Sequence, residues 1–411
     1  MIRRSLEARL ERLLGKFPCM LLCGARQVGK STLVEKTKIA RGRKYLTFDD
    51  PETLAAARSD AETFLDQAER LTIDEVQRFS ELFLRVKRSI DRDRRMARFL
   101  LTGSSAAEIV SAGKASALAG RTAVLELGPL TLAEVEDRDP LDWEGLLAAP
   151  DVAAALRLLP VPGTLRETLQ RRVLRGGLPP AWQAQDAESW REWMRGYRAL
   201  YLEKDVLPVR RLGASDDFLR FMTQAAWRSG GILSLADLAR DAGVPLSSAQ
   251  NYLRLLEGSC QWFRVTPYHR NLGKRLVKAP KGYWCDSGVL AFLAGVSTWE
   301  EARDAGRLGA LFETWVANEV RAAAWAGADR LELHHWRTHT GSEVDLVLSR
   351  GARLLPVEVK AAASLSSVSL SGMQRFLEDY EDSSPFGLVI YTGAEHRLLG
   401  PRIAAVSAMS L

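Results

Sequence analysis

Eight consecutive residues constrain this chain more than any others: Gly24-Ala25-Arg26-Gln27-Val28-Gly29-Lys30-Ser31, which match G-x-x-x-x-G-K-[ST] at every fixed position. They follow the apolar run Met20-Leu21-Leu22-Cys23 and precede a helical pattern over Ser31–Ala40. The backbone must therefore run strand, tight glycine turn, helix. A turn of this kind points successive N–H groups at an anion, and the helix N-terminus adds partial positive charge. A lysine at position 30 reaches the β- and γ-phosphates of a nucleoside triphosphate, and a hydroxyl at Ser31 ligates Mg²⁺. The expected nucleotide contacts are Gly24, Arg26, Gln27, Val28, Gly29, Lys30, Ser31 and Thr32.

The surrounding pattern agrees with a parallel α/β domain. Short apolar runs at Cys19–Cys23, Lys44–Phe48, Arg70–Ile73, Arg98–Leu101 and Ala123–Leu127 read as strands, separated by helical stretches such as Glu81–Asp91. Leu71-Thr72-Ile73-Asp74-Glu75 ends an apolar strand in two carboxylates, so Asp74 is expected near the Mg²⁺ shell and Glu75 beside the attacking water. Phe99-Leu100-Leu101-Thr102-Gly103-Ser104 ends another strand in hydroxyls, and Thr102 or Ser104 suits the γ-phosphate or the water. Arg121 closes Leu118-Ala119-Gly120-Arg121, where an arginine serves either as a finger into a neighbouring copy or as a surface ion-pair partner.

At 411 residues the chain is long enough for about two or three domains. Its 46% hydrophobic and 26% charged residues exclude wholesale disorder and small disulfide scaffolds. Apolar runs stop well short of the roughly 18 residues a bilayer crossing needs, and the start, Met1-Ile2-Arg3-Arg4-Ser5-Leu6-Glu7, lacks the apolar stretch of a signal peptide. Cys19, Cys23, Cys260 and Cys285 form no CxxC pair and read as reduced, buried thiols, so a cytoplasmic location is expected. A net charge of +6 permits nucleic-acid binding without requiring it.

Beyond Pro129 the texture changes, with Pro140, Pro150, Pro160 and Pro162 punctuating Leu/Ala-rich pieces. Gly177–Arg211 reads as helix rich in Trp and Arg. Ser234–Glu257 reads helix, turn, helix, broken at Gly243-Val244-Pro245, and Trp262–Tyr268 with Lys281–Cys285 reads as a following hairpin. Between Gly258 and Cys285 there is no acidic residue, whereas Arg264, Arg270, Lys274, Arg275, Lys278 and Lys281 alternate with aromatics, a pattern suited to DNA phosphates. The alternative is a protein-contact module whose aromatics are core.

Near the C-terminus, Leu308–Trp325 reads as helix, Glu343–Leu348 and Leu354–Val359 as strands joined at Gly351, Ser371–Tyr380 as helix and Gly387–Tyr391 as strand. Asp345 on one strand and Glu358-Val359-Lys360 on the next converge if alternation holds, giving two carboxylates for Mg²⁺ and a lysine beside a phosphodiester, with Glu313 as an added carboxylate. The opposing reading is a solvated strand face. His334, His335 and His339 lack a fourth ligand at zinc spacing and are expected on a polar strand face.

The order of these pieces resembles the AAA+ branch of phosphate-loop ATPases. More closely, Gly24–Ser31, Asp74-Glu75-Val76-Gln77, Leu100–Ser104, Leu118–Arg121, Tyr201-Leu202-Glu203-Lys204-Asp205 and Glu343-Val344-Asp345 resemble the AAA_14/DUF4143 proteins, in which an ATPase domain joins a winged helix and a PD-(D/E)xK nuclease-like domain. The resemblance implies ATP and Mg²⁺, Arg121 at the finger position, and a homo-oligomer, with a hexameric ring favoured. It also implies an α/β fold: a parallel-sheet domain over 1–135, a helical lid or linker over 136–230, a winged helix over 231–300, and a small restriction-endonuclease-like α/β domain over 301–411. Three activities follow as expectations: an ATP-driven DNA motor or remodeller, an ATP-assisted DNA nuclease, or a slow nucleotide-dependent switch, none at a membrane.

Overall fold

The computed structural model describes residues 2–104, 118–163, 166–202, 214–269, 279–327, 331–366 and 368–411. The chain forms two compact units. The first is Arg3–Pro129 together with Leu253–Gln261; the second is Leu130–Tyr252 together with Trp262–Leu411.

Five strands build the sheet of the first unit: β1 (Cys19–Cys23), β2 (Lys44–Thr47), β3 (Leu71–Asp74), β4 (Phe99–Gly103) and β5 (Thr122–Glu126). Their order is β2-β3-β4-β1-β5, with every pairing parallel. β1 sits between β4 and β5 and is buried along its whole length, which is why it reads as an unbroken apolar run. Residues from one sheet face, including Leu21, Ile73, Phe99 and Leu101, pack with Phe83, Val86 and Ile90 of the helix Leu82–Arg92. The loops after β1, β3 and β4 leave the C-terminal ends of adjacent strands, the edge at which open parallel sheets hold their ligands.

The second unit contains an eight-stranded mixed sheet. Its strands are β6 (Trp262–Pro267), β7 (Lys281–Trp284), β8 (Glu332–Arg337), β9 (Glu343–Arg350), β10 (Arg353–Lys360), β11 (Gly387–Tyr391), β12 (Arg397–Gly400) and β13 (Ile403–Ser407). They are ordered β12-β13-β11-β10-β9-β8-β6-β7. The β6–β7 hairpin and the C-terminal strands, assigned to separate segments from the sequence, therefore share one sheet. The junction is the parallel pairing of Thr266 and Pro267 with His334 and His335. The helices Leu235–Ala242 and Leu246–Gly258 flank the expected break, where Gly243 closes the first helix at φ 66°, a left-handed position that favours glycine.

The helix Ser371–Asp379 packs on β9 and β10 through Met373, Phe376 and Leu377, in a cluster that includes Val344 and Val347. Val344 and Val347, three apart, share that cluster because the β8–β9 register shifts between His334 and Trp336, so simple alternation is broken around Asp345. The long helix Leu308–Ala326 packs on β7 and β10. Strands β12 and β13 were not anticipated; β8 is the strand expected around His334 and His335, but it carries them inward, at 6% and 2% exposure, so they do not form the polar face expected of them. His335 titrates down at about 3, chiefly because burial disfavours the imidazolium.

The same helix carries Glu319, whose carboxylate accepts the Leu132 N–H at 3.1 and 2.9 Å on its two oxygens and lies 3.8 Å from Arg172. Burial raises its pKa from 4.5 to about 7, with Arg172 opposing. A raised folded-state value means that this group's favourable contribution is complete below the unfolded pKa and fades as pH climbs through the folded one. Over that window the loss is about 3 kcal/mol. Urea unfolding of Glu319→Gln near pH 5 and near pH 8 is expected to show a flatter pH dependence than the native chain, since the amide keeps an acceptor but cannot ionise.

Candidate nucleotide site

The turn after β1 has no room for a side chain at its first glycine. A Cβ on Gly24, at φ 152°, would lie 2.4 Å from the Leu127 carbonyl oxygen. Gln27 (φ 63°) and Gly29 (φ 98°) are left-handed, which turns successive amides toward one concavity. Gly29 then caps the helix Lys30–Lys36. Lys30 is buried, and its ammonium donates to the carbonyls of Gly24 (2.9 Å) and Ala25 (3.0 Å) across the loop. Burial lowers its pKa, with the charge of Glu75 acting in the opposite direction. From outside the motif, buried Arg4 braces the loop by donating to Val28 O at 2.8 Å and to Gly128 O at 2.6 Å.

The carboxylates at the end of β3 meet this turn. Ser31 Oγ donates to Asp74 Oδ2 at 2.7 Å, and Tyr45 OH donates to the same oxygen at 2.7 Å. Thr102 donates to Asp74 Oδ1, so the hydroxyl-ended strand β4 holds the acidic strand β3. Next along the chain, Glu75 adopts φ 58°, ψ 42°, a left-handed conformation that is costly for a side chain of this kind and recurs at functional sites. Burial raises its pKa, while Lys30 pulls it back. Gln77 donates to both Glu75 and Ser104 Oγ, the latter at 3.1 Å, linking the second carboxylate to the end of β4.

A hydroxyl and a carboxylate oxygen in contact at the head of a helix, beside a left-handed glycine turn, form a donor set suited to an Mg²⁺–triphosphate. Arg26 is half-buried and within electrostatic reach of Glu75, whereas Gln27 and Thr32 are exposed. Arg121 is paired within its own unit, Nε to Asp91 Oδ1 at 2.5 Å. Sequence reasoning singled out neither Arg4, Tyr45 nor Gln77 as site residues. Arg4 is far from the motif in sequence, and a lone tyrosine or glutamine carries no spacing signal.

Comparison with known proteins follows the same outline. Residues 16–136 match an AAA domain family, AAA_14, and residues 308–411 match a domain of unknown function, DUF4143. Residues 166–300 match a second domain of unknown function, DUF8612. The uncharacterized proteins Rv2008c of Mycobacterium tuberculosis and Mb2031c of Mycobacterium bovis are each 32% identical over 409 residues, covering 99% of this chain and 83% of the relative. The chain belongs to the AAA_14/DUF4143 family of P-loop ATPases. Among solved structures, the Walker-type ATPase PABY2304 of Pyrococcus abyssi is 15% identical with TM-score 0.40, covering 71% of this chain and 96% of that one. The Thermotoga maritima RuvB Holliday junction branch migration motor is 18% identical with TM-score 0.26, covering 64% and 90%.

The second cluster of expected site residues lies where the DUF4143 domain meets strand β7. Asp345 and Glu313 converge as anticipated, but around a lysine. Lys281, 2% exposed, places its ammonium 3.0 Å from Glu313 Oε1, 2.7 Å from Glu343 Oε1 and 3.1 Å from Asp345 Oδ1. This corrects its assignment as a surface cation for DNA. Burial alone would lower its pKa, but the surrounding acids hold it well above the ordinary value. Glu358 pairs with Lys360 at 2.5 Å, and burial raises both Glu313 and Glu358 to about 7. Among the described residues no group of three or more His, Cys, Asp or Glu side chains is arranged to hold a metal ion. Glu313 Oε1, Glu343 Oε1 and Asp345 Oδ1 thus face an ammonium, and Glu358 Oε2 is left buried without a hydrogen-bond partner.

Of the other expected DNA contacts, Arg264 is exposed on β6, while Arg270, Lys274, Arg275 and Lys278 lie outside the described residues, as do Glu203, Lys204 and Asp205. All four cysteines are buried and none is in a disulfide. Among the described residues no helix is long and apolar enough to cross a membrane.

Proposed function

We propose that this P-loop ATPase hydrolyses ATP at the β1–β3–β4 edge and couples turnover to DNA. The observation that carries the ATP chemistry is the joined pair Ser31–Asp74 beside a left-handed Glu75. Magnesium, when bound with ATP, neutralises charge on the phosphates, and Ser31 and Asp74 would hold it. Lys30 exchanges its loop carbonyls for phosphate oxygens. Glu75 takes the proton of the attacking water as the water oxygen bonds to the γ-phosphorus and the bond to the ADP oxygen breaks. Its raised pKa suits a base that must accept a proton. Gln77 and Ser104 position Glu75, and Thr102 positions Asp74.

DNA as the partner rests on the stretch 258–285, which is free of acidic residues and, with Lys281 set aside, retains Arg264, Arg270, Lys274, Arg275 and Lys278. Hydrolysis is expected to rise several-fold when duplex or forked DNA is added at low salt, and the effect to fall steeply as salt displaces phosphate contacts. Turnover indifferent to every DNA form at about 50 mM salt would remove DNA from the proposal. Assembly in a ring, with Arg121 leaving Asp91 to reach a neighbour's γ-phosphate, belongs to the same reading. Sizing of the Glu75→Gln chain with ATP tests it: a monomer with and without nucleotide leaves the slow switch as the account of the site.

A further inference from the structure

We propose that Lys281 is the resident cation of the carboxylate cluster, an ammonium standing where a related nuclease site would hold its divalent ion. The cluster is then a metal-free clasp between β7, β9 and the helix Leu308–Ala326. The inference is independent of the ATP chemistry.

The ammonium is ringed by three carboxylates. Lys281 has three N–H donors and three carboxylates within 2.7–3.1 Å, one each from Glu313, Glu343 and Asp345. The contacts to Glu313 and Asp345 are hydrogen bonds, and the one to Glu343 is an ion pair. Mg²⁺ would require oxygens at about 2.0–2.1 Å and Ca²⁺ at about 2.3–2.6 Å. Part of the acids' remaining capacity is also taken, while Glu358 Oε2 stays buried without a hydrogen-bond partner. Asp345 Oδ2 accepts the Val359 N–H at 2.9 Å, and Glu313 Oε1 accepts Tyr283 OH at 2.7 Å. Glu358, the other expected ligand, is engaged by Lys360 at 2.5 Å.

Lys281 cannot swing away cheaply. Its backbone lies in β7, paired with Val265 on β6 and bridged to Ile232 on the other side. Retracting a 2% exposed ammonium would take the closest cation from buried Asp345 and partly buried Glu313, while Glu343 would keep Arg337 at 3.7 Å. A divalent ion therefore competes with a tethered cation at effectively fixed proximity. The Glu-x-Lys spacing near the C-terminus survives, but the site it belongs to is closed from within.

The test is Mn²⁺ binding to the full chain without nucleotide, followed by calorimetry and by electron paramagnetic resonance of the free ion. The native chain is expected to take up no Mn²⁺ that Asp345→Asn removes, and its melting temperature to be unchanged by millimolar Mn²⁺. Lys281→Ala is expected to acquire about one Mn²⁺ per chain at sub-millimolar concentration, lost again in the Lys281→Ala/Asp345→Asn double variant. A Lys281→Ala chain that folds only when Mn²⁺ is supplied gives the same support. Stoichiometric Mn²⁺ on the native chain that disappears with Asp345→Asn would overturn the proposal, and so would a folded Lys281→Ala chain that takes up none. If Lys281→Ala does not fold under any condition, the native and Asp345→Asn titrations decide alone.

Discussion

Glu75→Gln is expected to lower ATP turnover by roughly 10²–10⁴-fold while leaving ATP retention near the native level. The amide matches the carboxylate in size and keeps an oxygen for Gln77, so the left-handed backbone and the link to Ser104 persist. What is lost is the capacity to accept a proton from water. Single-turnover hydrolysis measured beside filter retention of labelled ATP separates the two effects. Equal losses in both would mean that Glu75 binds rather than activates, and a native rate would place the base elsewhere.

Lys30→Met should behave differently, with retention and turnover both falling, turnover by roughly 10²–10³-fold or more. The native ammonium is buried and already oriented by the Gly24 and Ala25 carbonyls, so it meets the triphosphate with little reorganisation. A methionine of similar length fills the space without charge. The variant's melting temperature should remain near native in the absence of nucleotide, because the lysine's depressed pKa shows burial costing the charged form. Retention within about threefold of native would contradict the role given to Lys30.

Much of the first unit was legible because parallel strands buried on both faces are written as unbroken apolar runs. β1 falls at Cys19–Cys23 as read, and the other four strands lie within about a residue or two of their expected limits. The phosphate loop was legible for a second reason: its glycines answer to backbone geometry that no other residue satisfies. The second unit was harder. Helices such as Trp143–Ala148 and Val152–Leu158 are short and lie between prolines, where turn signals outweigh periodicity. β13 is Ile403-Ala404-Ala405-Val406-Ser407, too small-residued to announce itself as a strand.

Lys281 shows the limit most clearly. A lysine in a run of cations reads as a surface charge, because sequence reports neighbours along the chain and not across it. Its real neighbours are 32, 62 and 64 positions away: Glu313, Glu343 and Asp345. Tyr283 two positions later points into the same cluster, and that i, i+2 relation was the available hint. Conversely, Asp345, Glu358 and Lys360 lie on the adjacent strands β9 and β10 where the spacing argument put them, but the spacing gave no sign of the lysine beside Asp345.

The ladder that carries β6 into β8 has a mechanical corollary. The hairpin is joined to the rest of the sheet through that short ladder, Thr266 and Pro267 against His334 and His335, so a pull on it falls first on those backbone bonds. Severing the chain between the helices Trp299–Asp304 and Leu308–Ala326 would accordingly yield not two independent folding pieces but two raw borders, each seeking the strand it had lost.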